Sequence, residues 1–203
     1  MPIAINGSGT VTGISVGGLP DGIVDTDMLA SKAATAPKLG AGTIIQTVVV
    51  KSDTTSSLNT TSFTEASSDY RISITPINSA NRIFISITTA GTMNGANNTV
   101  FMSRIQNFTS GSAAHITSTA AGGNRHRVDY VARPNNGQDA NDVYVMHLFG
   151  FDDPGTTSQQ TYGFDYRREN GGSGTIFFGQ SEDGDVSYSS RTPTILIAQE
   201  VVI

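Results

Sequence analysis

The chain has 203 residues, no cysteine and a formal net charge of −5. The missing cysteines exclude disulfide bonds, thiol nucleophiles and zinc–thiolate sites, and the acidic balance argues against a nucleic-acid partner, which requires a basic surface. No apolar run reaches the roughly 18 residues that span a membrane, and the first residues lack the basic and apolar regions of a signal peptide. Charged residues make up only 14% of the chain; small polar residues replace them, as on sheet surfaces and in tight turns.

Residues 1–42 are predicted to form an extended arm without a core of its own. The first aromatic side chain is Phe63, and glycines interrupt short pairs of alternating apolar residues in the arm. A segment of this kind becomes ordered by adding backbone hydrogen bonds to another protein surface, whereas the alternative is a flexible tail. The residues expected to dock on a partner are the thinly spaced apolar ones: Ile3, Ile5, Val11, Ile14, Val16 and Leu19.

The second half of the arm contains the one helix that the sequence predicts, a short one over residues 28–34. Asp25 and Asp27 precede it, where carboxylates cap the first turn and complement the helix dipole. Pro37 follows it and ends it, because the residue before a proline leaves the helical region.

Residues 43–203 are predicted to form one antiparallel β-sandwich, of the jelly-roll kind. Short apolar runs alternate with turn signals such as Asn136-Gly137 and Asp183-Gly184, and about nine strands at such spacing are typical of a sandwich or jelly roll. No helical pattern interrupts them, which argues against a βαβ fold. The predicted strands are residues 43–51, 70–75, 82–90, 99–107, 127–132, 143–150, 161–167, 175–179 and 194–203.

Period-2 alternation predicts which side chains share a face. Ile83, Ile85 and Ile87 lie on one face of their strand, opposite Phe84, Ser86 and Thr88. The aromatic stripe Tyr162, Phe164 and Tyr166 could stack on sugars, but alternating aromatics more often fill the core of a sandwich. We therefore predict that this stripe is buried.

The sequence predicts no catalytic or metal site. His115, His126 and His147 do not have the spacing of a metal pair. His147 shares a face with Val143, Val145 and Phe149, either in the core or near a trimer axis. The acidic residues of Asp152-Asp153 and of 181–185 lack the ligand spacing of a calcium loop, so we interpret them as solvated turn residues. Arg125, Arg127 and Arg133 could bind an acidic glycan, but pairing with Asp129 and neighbouring residues is the preferred interpretation.

Four segments resemble virion proteins of tailed bacteriophages, especially those of marine and cyanobacterial phages. Residues 4–22 (AINGSGTVTGISVGGLPDG) resemble their N-terminus, and DTDMLA at 25–30 with PKL at 37–39 resembles the short repeats before their fibre domains. Residues 72–83 (ISITPINSANRI) resemble a strand–turn–strand of their C-terminal β domain, and residues 194–201 (TILIAQEV) are similar to its last strand.

The resemblance implies a fibre or decoration protein, commonly trimeric, that is attached to the virion by its N-terminus. We therefore expect a structural protein on the particle surface, with no enzymatic activity and no cofactor. The expected partners are other copies of the chain and a virion protein, either the major capsid protein or a tail or adaptor protein; nucleic acid and membrane are not expected. A capsid decoration protein is the favoured prediction. A short tail fibre that binds a receptor, such as a host-surface glycan, is the alternative.

Overall fold

A computed structural model defines the fold of the body of the chain. Every residue that it describes lies in the compact unit Leu39–Ile203, so the predicted arm residues and the predicted helix lie outside the described part. The described residues are 39–94, 99–111, 114–116, 125–133, 143–169, 174–181 and 190–203.

All twelve secondary-structure elements among the described residues are β-strands, as the sequence predicts. Nine of them coincide with the nine predicted strands, and the other three (β2, β3 and β7) are short and polar. The strands are β1 (Ile44–Ser52), β2 (Ser56–Leu58), β3 (Thr64–Glu65), β4 (Ile72–Ile74), β5 (Arg82–Asn94), β6 (Phe101–Asn107), β7 (Ala114–His115), β8 (Tyr130–Ala132), β9 (Val143–Asp152), β10 (Gln160–Arg168), β11 (Thr175–Phe178) and β12 (Thr194–Val201).

The strand order is that of a jelly roll. In sheet A the long strand β5 pairs with β12 along one edge and with β9 along the other, and β12 pairs with β1, so the order is β1-β12-β5-β9. In sheet B, β10 pairs with β4 on one side and with β6 on the other, and β6 pairs with β8, so the order is β4-β10-β6-β8. All of these pairings are antiparallel, and the chain crosses repeatedly between the two sheets, which is the double Greek-key arrangement of a jelly roll. The short strands β2 and β11 extend sheet A, and β3 and β7 extend sheet B.

The inner faces of the two sheets form one aromatic and aliphatic core. Ile83, Ile85 and Ile87 are fully buried on β5, as their alternation predicts. Tyr162 and Tyr166 of the aromatic stripe on β10 are buried too, and Phe164 between them is 1% exposed. The ring of Phe164 lies 5.3 Å from that of Phe178 on β11. The prediction that the stripe fills the core is confirmed, and these side chains cannot form a sugar-stacking platform.

A buried carboxylate connects the last strand to the turn before β5. Glu200 has no exposed surface, and its oxygens accept hydrogen bonds from the backbone N–H of Ile77 at 2.8 and 2.9 Å and of Asn78 at 3.0 Å. The side-chain amide of Asn81 donates to it at 2.8 Å. Segments 72–83 and 194–201 are therefore in contact through this side chain as well as through the strand pairing of Ile83 with Glu200 and of Arg82 with Val201.

Candidate functional site

The outer face of sheet A is apolar where a solvent-facing sheet would normally be polar. Side chains at odd positions of β9 point outward, because successive residues of a strand alternate between faces. Val143, Val145, Phe149 and Phe151 are 48%, 62%, 64% and 51% exposed, whereas Leu148 between them is fully buried. We call this outer surface, over β9, β5, β12 and β1, the A face.

Neighbouring strands continue the apolar surface across the sheet. Phe151 lies opposite Phe84 of β5, with their ring centroids 5.1 Å apart. Phe149 lies opposite Ser86, which pairs in turn with Ile197 of β12. The next partner in that row is Val49 of β1, which is 59% exposed. The A face therefore carries apolar side chains on all four strands.

His147 lies on the A face among these apolar side chains. It is exposed and lies opposite Thr88 of β5, whose hydroxyl oxygen is 3.0 Å from Nε2 of the imidazole. The predicted sharing of a face with Val143, Val145 and Phe149 is confirmed, and the core alternative is wrong. The imidazole stands midway along the exposed side of β9, with two apolar residues before it and two after it.

Charges lie at the ends of the A face and compensate each other there. Near Phe151, the guanidinium of Arg82 donates two hydrogen bonds of 2.7 Å to the carboxylate of Asp153, and these bonds lower the pKa of Asp153. At the far side of the sheet, Lys51 pairs with Asp53 at 2.9 Å. An apolar centre with a polar rim is the general layout of a protein–protein interface.

The outer edge of β9 adds a second unusual feature. Among the described strands, β9 pairs with β5 alone, so one row of its backbone groups faces away from the sheet. Natural edge strands are commonly protected by Lys, Pro, a bulge or a short length. The ten residues of β9 contain neither Lys nor Pro, and their pairing with β5 runs without a register shift.

The outer face of sheet B differs, because it carries a partly buried network of charged groups. Asp165 of β10 is 4% exposed; its oxygens accept bonds of 2.9–3.1 Å from Arg104 and one of 2.7 Å from Gln106. Burial raises the pKa of Asp165, and the bonds from Arg104 and Gln106 oppose that rise without cancelling it. Desolvation of the carboxylate therefore outweighs its ion pair.

A histidine extends this network towards β7 and β8. Asp129 accepts a hydrogen bond of 2.7 Å from the backbone N–H of Ile105 and lies 3.2 Å from Nε2 of His115. The sequence predicts an arginine partner for Asp129, but these two groups are its partners instead. Since Ile105 belongs to β6, the contact fastens the segment before β8 onto sheet B.

Two arginine side chains also lie close to the half-buried ring of Phe63. The guanidinium carbon of Arg104 lies 3.7 Å from its centroid, and that of Arg167 lies 5.5 Å away. Arg167 donates to Nε2 of His126 at 2.8 Å, and desolvation together with the positive charge of Arg167 lowers the pKa of His126. The imidazole is therefore kept neutral, as a hydrogen-bond acceptor. These contacts stabilise packing within the domain.

The prediction of a solvated turn residue is wrong for Asp152, which is the last residue of β9 and is half-buried. Asp152 accepts hydrogen bonds from the phenol of Tyr162 at 2.8 Å and from the amide of Asn107 at 3.1 Å, which joins β9 to sheet B. Burial and the adjacent carboxylate raise the pKa of Tyr162, so the phenol remains a donor. Most of the second acidic segment, residues 182–185, lies outside the described part.

Over the described ranges, no group of three or more His, Asp or Glu side chains is arranged to hold a metal ion. No helix in the same ranges has the length and apolar character needed to cross a bilayer.

The predicted docking residues and the residues of the A face lie in different parts of the chain. All six predicted docking residues, Ile3 to Leu19, lie outside the described part. Sequence reasoning did not single out the A face, although one signal for it is present: β9 has apolar residues on both of its faces, which a strand with one solvated face does not require. Glu200 had no such signal, because its partners are about 120 positions away in the chain.

No family model matches the chain, and no curated protein matches it. The chain is similar to the solved structure of infectious bursal disease virus Gx strain, with 10% identity over 80% of this chain and 39% of that chain, at a TM-score of 0.35. It is also similar to the VP2 subviral particle of infectious bursal disease virus, with 11% identity over 78% and 38% of the two chains, at a TM-score of 0.34. This chain therefore spans about two fifths of the length of each viral chain.

Proposed function

We propose that the chain is a structural protein of a tailed-phage virion that attaches through residues 1–42 and displays its jelly roll on the particle surface. The resemblance of residues 4–22, 72–83 and 194–201 to phage virion proteins supports this proposal. The observation in the fold that carries it is the apolar A face, since a surface with Phe149 and Val145 more than 60% exposed becomes more stable when an assembly covers it.

Within that proposal, the favoured role is that of a capsid decoration protein. The arm docks on the major capsid protein, its apolar side chains and its backbone bind a sheet edge or groove there, and the β domains form a homotrimer on the surface. The role is mechanical and involves no catalysis and no cofactor. A short tail fibre is the alternative, because tail fibres carry the same kind of N-terminal segment; a host-surface glycan would then be the ligand.

The attachment proposal is tested by deleting residues 2–22 in the encoding phage. The purified deletion protein should show the same thermal unfolding midpoint for its β domain as the full chain, while purified particles should lack it on immunoblots. Normal incorporation of the deletion protein would refute attachment by the arm.

Two sets of substitutions distinguish apolar docking from a mere requirement for length. The first set replaces the predicted docking residues with Ser or Thr and should reduce incorporation strongly. The second set replaces polar arm residues with Ala and should leave incorporation unchanged. The residues of the first set are Ile3, Ile5, Val11, Ile14, Val16 and Leu19, and those of the second are Ser8, Thr10, Thr12 and Ser15.

Copy number separates the two candidate positions on the particle. Quantitative mass spectrometry of purified virions measures this chain against the major capsid protein. A ratio near that of the capsid lattice supports decoration, whereas the few copies of a tail structure support the fibre alternative. Absence of the chain from particles would contradict both.

A further inference from the structure

The exposed apolar side chains of β9 are numerous enough to form the centre of an interface. At exposures between 48% and 64%, the two Val and two Phe side chains leave roughly 400 Å² in water, if each presents about 150–200 Å² when fully accessible. Half-buried Phe84, Ile195 and Ile197 beside them add to this. A stable protein interface covers about 800 Å² on each partner, about twice the area that these four side chains leave in water.

The position of these side chains indicates the geometry of the contact. Val143, Val145, Phe149 and Phe151 all lie on β9, at the margin of sheet A, and no described strand pairs with the outer edge of that strand. A partner that covers both features must approach from the side of β9. A partner that lay flat over the middle of the sheet would leave the open edge in water.

The charge distribution favours a second copy of the chain as that partner. Among the described residues, the charges near the A face are the ion pairs Arg82–Asp153 and Lys51–Asp53, at its two ends, so these residues give its centre no net charge to attract a strongly charged ligand. The A face of a second copy packs against this centre without bringing like charges together. A closed symmetric contact also covers the open edge of every copy at once, which a single foreign strand on one copy does not.

We propose that β9 and the adjoining A face form the contact between copies of this chain, around a rotation axis that runs beside β9. His147 is the centre of this contact, because Val143 and Val145 precede it on the same face while Phe149 and Phe151 follow it. Whether the axis is twofold or threefold, maximal overlap of the flanking apolar residues brings the His147 side chains of the copies near each other. This contact is a property of the β domain, whether or not the arm binds a particle.

The contact should weaken when position 147 carries a permanent charge. The Thr88 hydroxyl faces its imidazole from β5, and Val145 and Phe149 flank it on β9; the charged residue in the same row, Lys51, lies two strands beyond β5, on β1. No described carboxylate is in hydrogen-bonding contact with the ring. Like charges placed together across strands repel, so the permanent positive charge of a His147→Lys variant should favour separate copies.

Molar mass measured on the full chain tests the contact independently of any virion. Light scattering after size exclusion, repeated over a dilution series at neutral pH, should give a multiple of 21.3 kDa. Val145→Asp should raise the dissociation constant by about tenfold or more, as expected for a central interface residue. Val131→Asp is the matched control, since Val131 is also on a strand and is 59% exposed against 62% for Val145; it should leave the constant unchanged.

The same dilution series on two variants tests the position of His147. His147→Lys should be dissociated at concentrations at which the wild-type chain and His147→Gln are associated. Circular dichroism establishes that each variant is folded. A wild-type chain that stays monomeric at the highest concentration, or equal effects of the Val145 and Val131 substitutions, would overturn the proposed contact. Assembly that is unaffected by His147→Lys would overturn the placement of His147 at its centre. A trimer supports both the contact and the proposed homotrimer, whereas a dimer supports the contact and contradicts the homotrimer.

Discussion

The Glu200 carboxylate provides the sharpest test of how this fold is stabilised. Glu200→Ala removes an acceptor that has no exposed surface and that binds the N–H groups of Ile77 and Asn78 and the amide of Asn81. The variant leaves three donors of the 77–81 turn without their partner. Hydrogen bonds to a charged group contribute about 1.5–3 kcal/mol each, but the turn borders solvent, since the Ile77 side chain is 61% exposed.

Partial hydration of that turn reduces the expected loss to about 3–5 kcal/mol of unfolding free energy, close to the cost of removing one member of a buried charged pair. Glu200→Gln keeps the shape and one acceptor oxygen, but it places an amide N–H₂ against at least one donor, so it should cost about 2 kcal/mol. Urea unfolding at one fixed protein concentration measures both variants. The midpoint should fall while the slope stays constant, because the surface exposed on unfolding is unchanged.

Asp53→Ala is the control for removing a carboxylate as such. Asp53 pairs with Lys51 on the surface, and its side chain is 73% exposed, so its loss should cost less than about 1 kcal/mol. A Glu200→Ala variant that is no less stable than Asp53→Ala would refute the reasoning, because it would mean that water replaces the carboxylate at no cost.

Two further predictions concern the sheets. Gly91→Ala places a Cβ 1.9 Å from the carbonyl oxygen of Phe177, so β11 must shift and the unfolding free energy should fall by about 1–3 kcal/mol. The control Gly40→Ala meets no atom within 4 Å and should leave the unfolding free energy almost unchanged. Equal urea midpoints for the two variants would contradict the clash. Burial raises the pKa of Asp165 in the folded state above its ordinary value of 3.8, so the folded state binds the carboxyl proton more tightly than the unfolded state does. The contribution of this carboxyl group to stability therefore falls as pH rises from about 4. Asp165→Asn should therefore cost more stability at pH 4 than at pH 7 in urea titrations, whereas a cost that grows towards pH 7 would show that attraction to Arg104 outweighs burial.

Strand positions were predictable because alternation is a local property. The isoleucines of β5 and the aromatics of β10 are buried on one face, and period 2 alone places each set together. The end of β5 was not predictable in this way. The strand continues to Asn94, and residues 89–93 are buried without alternation, so the pattern that marks a strand with one solvated face disappears there.

The three missed strands have a different physical cause. β2 (SSL), β3 (TE) and β7 (AH) have two or three residues each, too few to show any period. They exist because neighbouring strands offer free backbone groups: β11 pairs with β2, β10 with β3, and β6 with β7. Such pairing depends on the neighbour more than on the segment's own residues.

The sequence by itself determined the all-β class, the positions of the main strands and the residues that share a face within each strand. Only the tertiary structure decided which face of β9 is buried, because both of its faces are apolar and alternation does not distinguish inside from outside. Pairing with β5 directs Met146 and Leu148 into the core and leaves Val145, His147 and Phe149 on the A face. The position of Glu200 beneath the 77–81 turn has the same origin, since contacts between distant segments depend on how the strands assemble.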